Sequence, residues 1–525
     1  MASKYFIGVD LGTTGARTVI FDDKGRQIAD AYRENRLEYP RIGWCEVDGR
    51  HLEDNCLQTT HDAIAKSGIN PQDILSVSFS YMRVGMVTRD ANGDFSRDKV
   101  IMWFDGRARK QGDYALEQMQ AAGISQAELY NRRGFPGGGA GPLAKYLWIK
   151  QNEPEVYART TKIHNMHGLL VKAYGGEEFI DPAADSGWFG VTNLDTLDYD
   201  QELIDIFEWR EEFDAGKFPK LQKCATLCGR VTKAVSEKTL LPEGTPLYVG
   251  NGDHQCGALG LGVIHDDQTY MCIGTTGTIS RVGSYPFRHP EMICTVLGSS
   301  SGGWQMDANS PTACGCFRWL RDTLCQSETE QAMRSGENVY DVMTALAAKA
   351  KPGCDGMVFL PWPGGAAGTP HFDPNPRMTF TGMTNSHGKA EIVRSVMEGV
   401  CYENREMLES LDKAGLPAYE SLRFTGGGAR SKLWCQIHAD ILGKPVETVS
   451  ANEATACGAA ILGTIGCGYY SSYEEAVENM VHVTGHYDPN PAVKDAYDQS
   501  YEIYKMAYND LKNNTFPAIA KAQGL

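Results

Sequence analysis

The chain has 525 residues, 42% of them hydrophobic and 22% charged, and a formal net charge of −16. That length allows two or three domains, and the composition excludes a disordered or fibrous protein. With an acidic balance and no lysine- or arginine-rich run, a surface that tracks nucleic-acid phosphates is excluded as well. The 15 cysteines are odd in number and irregularly spaced, and Cys224/Cys228 and Cys314/Cys316 lack the two-residue gap of zinc ribbons and redox dithiols. Lys4 and Asp10 interrupt the first apolar run, so a secretory signal is not expected; reduced thiols and a cytoplasmic location are.

Three strands open the chain, at 5–10, 16–21 and 27–33, with Asp22-Asp23-Lys24-Gly25 as a turn. Between the first two lies Gly12-Thr13-Thr14-Gly15, whose glycines permit positive φ and whose amides and hydroxyls can converge on an anion. A helix with Leu52, Cys56, Ala63 and Ile64 at helical spacing then precedes a buried strand at 74–80. Gly137-Gly138-Gly139, ahead of a helix at 145–148, fits a mobile cleft rim better than a further phosphate loop.

A boundary is expected near Gly250-Asn251-Gly252, dividing the chain into 1–251 and 252–525. Beyond it the opening pattern returns. Strands at 269–273 and 278–282 flank Gly274-Thr275-Thr276-Gly277, half a chain from the first copy, a helix near 389–413 follows, and 422–425 leads into Gly426-Gly427-Gly428. One such tetrapeptide is an ordinary hairpin turn; the pair suggests two similar lobes gripping one phosphate ligand. The uncharged stretch 454–470 is too interrupted for a membrane span and reads as a closely packed helix. Val493, Tyr497, Tyr501, Tyr504, Tyr508 and Leu511 share one helical face and read as core.

Two decoys fail on spacing. Gly382 to Gly388-Lys389 has one residue too many for a P-loop and is followed by Ala390, and Gln255 occupies the third glycine position of a dinucleotide fingerprint begun at Gly250.

Taken together, Gly8-Val-Asp-Leu-Gly-Thr-Thr-Gly15, Trp103-Phe-Asp105-Gly-Arg107, Gly250-Asn-Gly-Asp253-His-Gln255, Gly274-Thr-Thr-Gly-Thr278, Thr425-Gly-Gly-Gly-Ala-Arg-Ser431 and Glu453-Ala-Thr-Ala456 resemble the ordered signature of the FGGY carbohydrate kinases, from about residue 5 to about residue 465. The resemblance implies an α/β fold of two duplicated actin-like (ribonuclease H-like) ATPase domains around an interdomain cleft, and an ATP- and Mg²⁺-dependent sugar kinase. Asp253 would be the general base, although the residues alone fit a helix N-cap equally well. Asp10 would organise Mg²⁺, with a turn aspartate as the plain alternative. Gly12, Thr13, Thr14 and Arg17 would approach the γ-phosphate, Gly274, Thr275 and Thr276 the other phosphates, and Gly426, Gly427, Gly428, Arg430 and Ser431 the adenosine.

For the acceptor, the resemblance points to Met82, Arg83, Trp103, Asp105, Asp253 and His254. Trp103 would pack on a sugar face while Asp105 accepts from hydroxyls; a core Trp beside a solvated Asp is the alternative. Arg83 departs from the His of xylulose kinases, and Val84 from the carboxylate of glycerol kinases. Met82-Arg83 with Gly85, and the stretch from His289 to Arg321, also look like the autoinducer-2 kinase branch. Arg83 would bond the substrate or pair with Asp105, with a surface Arg as the alternative.

The expected acceptor is a small sugar or polyol, a ketose of the xylulose type ahead of the autoinducer-2 precursor dihydroxypentanedione. Neither nucleic acid nor membrane is an expected partner, and a homodimer is left open. Two other classes compete. Asp-Leu-Gly-Thr-Thr also resembles the nucleotide domain of Hsp70-type chaperones, but a peptide-binding domain is missing, and a sugar-sensing protein that binds ATP without turnover would carry the same motifs.

Overall fold

A computed structural model describes residues 3–135, 141–184, 191–451 and 453–524. The triple glycine 137–139 lies outside the described residues.

The first sheet is built from β1 (Tyr5–Leu11), β2 (Gly15–Asp22), β3 (Gln27–Glu34), β4 (Ile74–Tyr81), β5 (Leu227–Arg230) and β6 (Pro246–Gly252), in the order β5-β6-β4-β1-β2-β3. β1, β4 and β6 run parallel, while β2 and β3 continue antiparallel from β1 and β5 closes the other edge antiparallel. The second sheet contains β7 (Gln268–Ile273), β8 (Gly277–Gly283), β9 (Thr295–Gly298), β10 (Trp304–Ser310), β11 (Ser421–Thr425), β12 (Val446–Val449) and β13 (Val483–Tyr487), in the order β9-β10-β8-β7-β11-β12-β13. Here β7, β11 and β12 are parallel, and β8, β10 and β13 are antiparallel to their neighbours. Strand order and polarity therefore repeat, with β9 added at one edge: this is the duplicated actin-like α/β fold that the resemblance implied.

The two halves are not independent bodies. The helix α1 (Gly49–Ser67), capped by Asp48 and ended by left-handed Gly68, buries Leu52, Cys56, Ala63 and Ile64 against the first sheet. The helices α2 (Asp253–Gly260) and α3 (Ala454–Gly466) pack on each other, and α3 also lies on β1, β4 and β6. Backbone meets backbone at that crossing, since a Cβ on Gly458 would sit 1.9 Å from the Cys256 carbonyl oxygen. Small residues make α3 fit: Ala456, Cys457, Ala459 and Ala460 pack against Phe6, Val19, Phe21 and Leu259 in one cluster. The larger core belongs to the second lobe, where Tyr497, Tyr501, Tyr504 and Tyr508 of helix Lys494–Leu511 are buried, as their spacing predicted.

Between β4 and β6 the chain inserts several helices, including helix Pro142–Asn152, whose Lys145 reaches the segment that follows β4. All 15 cysteines are free thiols. Among the described residues, no helix is long and apolar enough to cross a membrane.

Candidate active site

Both glycine turns open into one cavity of about 840 Å³ between the lobes, which Thr13 lines from one side and Thr276 and Gly277 from the other. Each turn follows from its strands. Paired antiparallel, β1 and β2 leave only Gly12 to Thr14 to reverse the chain, closed by Gly12 N–H to the Gly15 carbonyl at 3.0 Å. The second turn is one register step tighter, with Ile273 facing Gly277 and Gly274 N–H donating to the Thr276 carbonyl at 3.0 Å. Asn35 braces the first turn from β3's end, its Nδ2 donating to the carbonyls of Gly12 and Thr13.

Asp253 lines the same cavity. It is the first residue of α2, where β6 ends, and its cap residue is Gly252, so the N-cap alternative for Asp253 does not hold. Gly252 leaves room for two side chains: a Cβ there would lie 2.5 Å from Oε1 of Gln255 and 2.7 Å from Cδ of Arg83. Arg83 enters through that gap, with Nε 3.8 Å from Asp253 Oδ1 and Nη2 3.3 Å from Asp307 Oδ2. His254 Nδ1 lies 2.7 Å from the same Asp307 oxygen and 3.0 Å from Arg83 Nη2, so the three side chains form one cluster. Arg83 thus pairs around Asp253 and Asp307, and the expected partner Asp105 is corrected.

Asp307 had no place in the sequence reading. It sits in mid-β10, opposite Ser280 of β8, with no local motif around it. Its side chain is fully buried, and Ser280 Oγ and Gln305 Nε2 donate to its other oxygen. Burial pushes its acidity towards the neutral form, but His254, Arg83 and Ser280 outweigh that and hold it ionised, well below the ordinary carboxylate range.

Asp10 is the penultimate residue of β1, beside the first turn, and Ser80 Oγ donates to it at 2.7 Å. Burial raises its pKa, and the nearby charge of Asp253 adds to the rise. Trp103 and Met82 line the cavity, the indole Nε1–H donating to Thr13 Oγ1 at 2.9 Å. Asp105 does not line it: the carboxylate is fully buried, clamped by Arg107 Nη2 at 2.8 Å and by the Cys45 amide at 2.6 Å. The expectation that Asp105 accepts from a sugar hydroxyl is therefore corrected, because its lone pairs are already engaged.

Arg17 is also held away from the cavity, paired to Asp30 at 2.8 Å and to Glu453 at 3.2 Å. Thr14 faces β3, its carbonyl accepting from the Asn35 amide. Thr275 Oγ1 accepts from Arg318 Nη2 at 2.8 Å, and the carbonyl of Gly274 accepts from the Cys314 amide. The glycine cluster packs beside that turn: Gly426 has φ +88°, and a Cβ there would lie 2.5 Å from the Ile273 carbonyl. Arg430 is exposed, and Ser431 caps helix Lys432–Leu442 by accepting from the Trp434 amide. These residues border the second turn and are not among those lining the cavity itself.

A further unforeseen residue is Lys145, fully buried, whose Nζ donates to the carbonyls of Val84 at 2.9 Å, Met102 at 2.8 Å and Trp103 at 3.2 Å. It ties together the two loops that present Arg83 and Trp103, including Val84 in the left-handed region at φ +64°. Sequence showed it only as a helix residue.

Comparison with known proteins gives two family matches. The model for the FGGY family of carbohydrate kinases, N-terminal domain, matches residues 5–260, and that for the C-terminal domain matches residues 269–467. A xylulose kinase of Staphylococcus epidermidis is 27% identical over 98% of this chain and 98% of its own. An autoinducer-2 kinase of Enterobacter sp. is 28% identical over 96% and 94%. The crystal structure of a gluconate kinase from Lactobacillus acidophilus superposes with a TM-score of 0.86 at 23% identity, covering 99% of this chain and 100% of that one.

Proposed function

Because this chain belongs to the FGGY family of carbohydrate kinases, we propose that it transfers the γ-phosphoryl group of ATP to a hydroxyl of a small open-chain ketose or polyol of the xylulose type, with Asp253 as general base. One observation carries the reading: Thr13, Thr276 and Asp253, from three separate elements, line a single cavity. A carboxylate there can take the proton of an acceptor hydroxyl as it attacks, which contributes about 10²–10⁴-fold. Backbone amides of the two turns would bind the phosphates from opposite sides, so that the acceptor oxygen and the leaving oxygen lie in line. Lobe closure would keep water from competing as acceptor.

The residues present fit Mg²⁺. Asp10 is a half-buried carboxylate under like-charge pressure from Asp253, which a divalent cation relieves. Among the described residues no group of three or more His, Cys, Asp or Glu could hold a metal; the ion would be held largely by water and phosphate oxygens. When bound, it would neutralise charge on the transferring phosphoryl; Asp10 would orient it.

Identity to the autoinducer-2 kinase supports a second reading, in which the acceptor is dihydroxypentanedione. ADP release measured across ketoses, polyols and dihydroxypentanedione tests both. Stimulation by a ketose or polyol supports the first and by dihydroxypentanedione alone the second; background hydrolysis with every acceptor would overturn both in favour of a sugar sensor.

A further inference from the structure

The cavity's charges bear on which acceptors it admits. Asp253, Asp307 and Glu291 set three carboxylates against the single guanidinium of Arg83 and the imidazole of His254. The other polar side chains that line it, such as Gln126 and Asn309, are uncharged. An arginine in an acceptor site ordinarily suggests an anionic substrate, because its planar fork matches a carboxylate. Here the guanidinium is already paired through Nη2, which also lies 3.0 Å from His254 Nδ1, and faces Asp253 through Nε. Arg83 Nη2 lies 3.3 Å from Asp307 Oδ2 and Nε 3.8 Å from Asp253 Oδ1, and His254 shares the Asp307 oxygen at 2.7 Å.

Turning Arg83 towards a ligand carboxylate would break its contact with Asp307. Asp307 has a fully buried side chain, fixed from behind by Gln305 Nε2 at 2.8 Å and by Ser280 Oγ. Withdrawing the guanidinium would leave that carboxylate buried with only the imidazole to balance it, a costly state. The stem of Arg83 is confined too, passing so close to Gly252 that a Cβ there would clash with Cγ and Cδ. An incoming carboxylate would therefore meet surplus negative charge, with the phosphates of the nucleotide adding more. Hydroxyl and carbonyl groups meet no such opposition.

We propose that Asp307 is the specificity-determining residue of the acceptor cavity: by holding Arg83 and His254 it makes the cavity one for uncharged polyhydroxy or hydroxycarbonyl acceptors and excludes aldonates. This rests on the reading of the cavity as the acceptor site of the kinase. It separates this chain from enzymes of the same fold whose substrate is a sugar acid.

The test uses the full chain with ATP and Mg²⁺ and pairs matched in carbon number: D-xylulose and xylitol against D-xylonate, and D-fructose and D-glucitol against D-gluconate. The best uncharged acceptor should exceed the best aldonate by at least about 100-fold in kcat/KM, the scale of one desolvated like-charge encounter. An aldonate as best acceptor overturns the proposal. Asp307→Asn, checked for an intact melting transition, should narrow that ratio at least tenfold; an unchanged ratio in a folded variant removes Asp307 from the role. Should that variant not fold, Arg83→Gln decides: with Asp307 unneutralised the ratio must stay above about 100, and a fall below 10 overturns the proposal. If no compound is phosphorylated, the kinase reading fails on its own, and calorimetric binding of the same pairs without nucleotide still judges this one. Tighter binding of an aldonate than of its uncharged partner, or no binding by any uncharged compound, would overturn it.

Discussion

The indole Nε1–H of Trp103 donates to the hydroxyl of Thr13 at 2.9 Å, joining the wall of the acceptor side of the cavity to the first glycine turn. A side chain proposed to touch the acceptor would thereby also hold the turn proposed to bind phosphate. Trp103→Phe keeps an aromatic face and removes this one bond, worth about 0.5–1.5 kcal/mol. KM for acceptor and for ATP should both rise, each about 2–10-fold. A rise confined to the acceptor would show that the bond does not couple the two sites.

Asp253→Asn keeps the shape of the site and removes the proposed base. Turnover should fall about 10²–10⁴-fold while ATP binding, followed by calorimetry, is retained. Near-normal turnover would remove Asp253 from the mechanism.

Lys145→Met strips a cation from three backbone carbonyls. The expected loss of stability is about 2–4 kcal/mol, since buried acceptors are left unmet. Among molecules that remain folded, KM for the acceptor should rise more than KM for ATP, because Val84 and Trp103 line the part of the cavity proposed for the acceptor. An equal rise in both would assign Lys145 a purely structural part.

Glu403 gives the pH dependence a definite sign. Burial raises its pKa to about 8, despite donors from Ser310 Oγ at 2.8 Å and Trp362 Nε1 at 2.9 Å. An unfolded chain loses this proton near the ordinary Glu value of 4.5. The group's favourable contribution is complete below that pH and is lost as pH rises to about 8, at a slope near 1.4 kcal/mol per unit. Glu403→Gln removes the slope, so the variant's melting temperature should gain on wild type between pH 5 and pH 8. Parallel melting curves across that range would refute the protonated assignment.

Gly458→Ala places a methyl where α2's backbone already lies, 1.9 Å from the Cys256 oxygen. The helices must separate, at a cost of about 3 kcal/mol or more. A variant as stable as wild type in chemical denaturation would show that the crossing yields easily.

The fold was legible because it rests on local signals repeated twice. Alternating strands around a glycine turn need only neighbouring residues, and both turns, the parallel strand after each, and the tyrosine face of helix Lys494–Leu511 are where those signals put them. The site was legible in part. Asp253, Arg83, His254, Met82, Trp103, Thr13 and Thr276 do line one cavity. Asp105 was misread because its motif says nothing about Arg107, two residues on, turning back to occupy it. Asp307 was invisible for the opposite reason: its importance arises only when β10 pairs with β8 and α2 brings His254 across. Arg17 looked free for phosphate because Glu453 is distant in sequence and adjacent only in space.

The descent of α3 onto β1, β4 and β6 governs how this protein can be made. A ribosome delivers Phe6, Val19 and Phe21 first, yet the alanine-rich surface that covers them is encoded more than four hundred residues later. Throughout synthesis the nascent amino-terminal sheet carries a bare oily face, so any fragment stopped before residue 454 should be sticky, chaperone-dependent and unable to stand as half an enzyme.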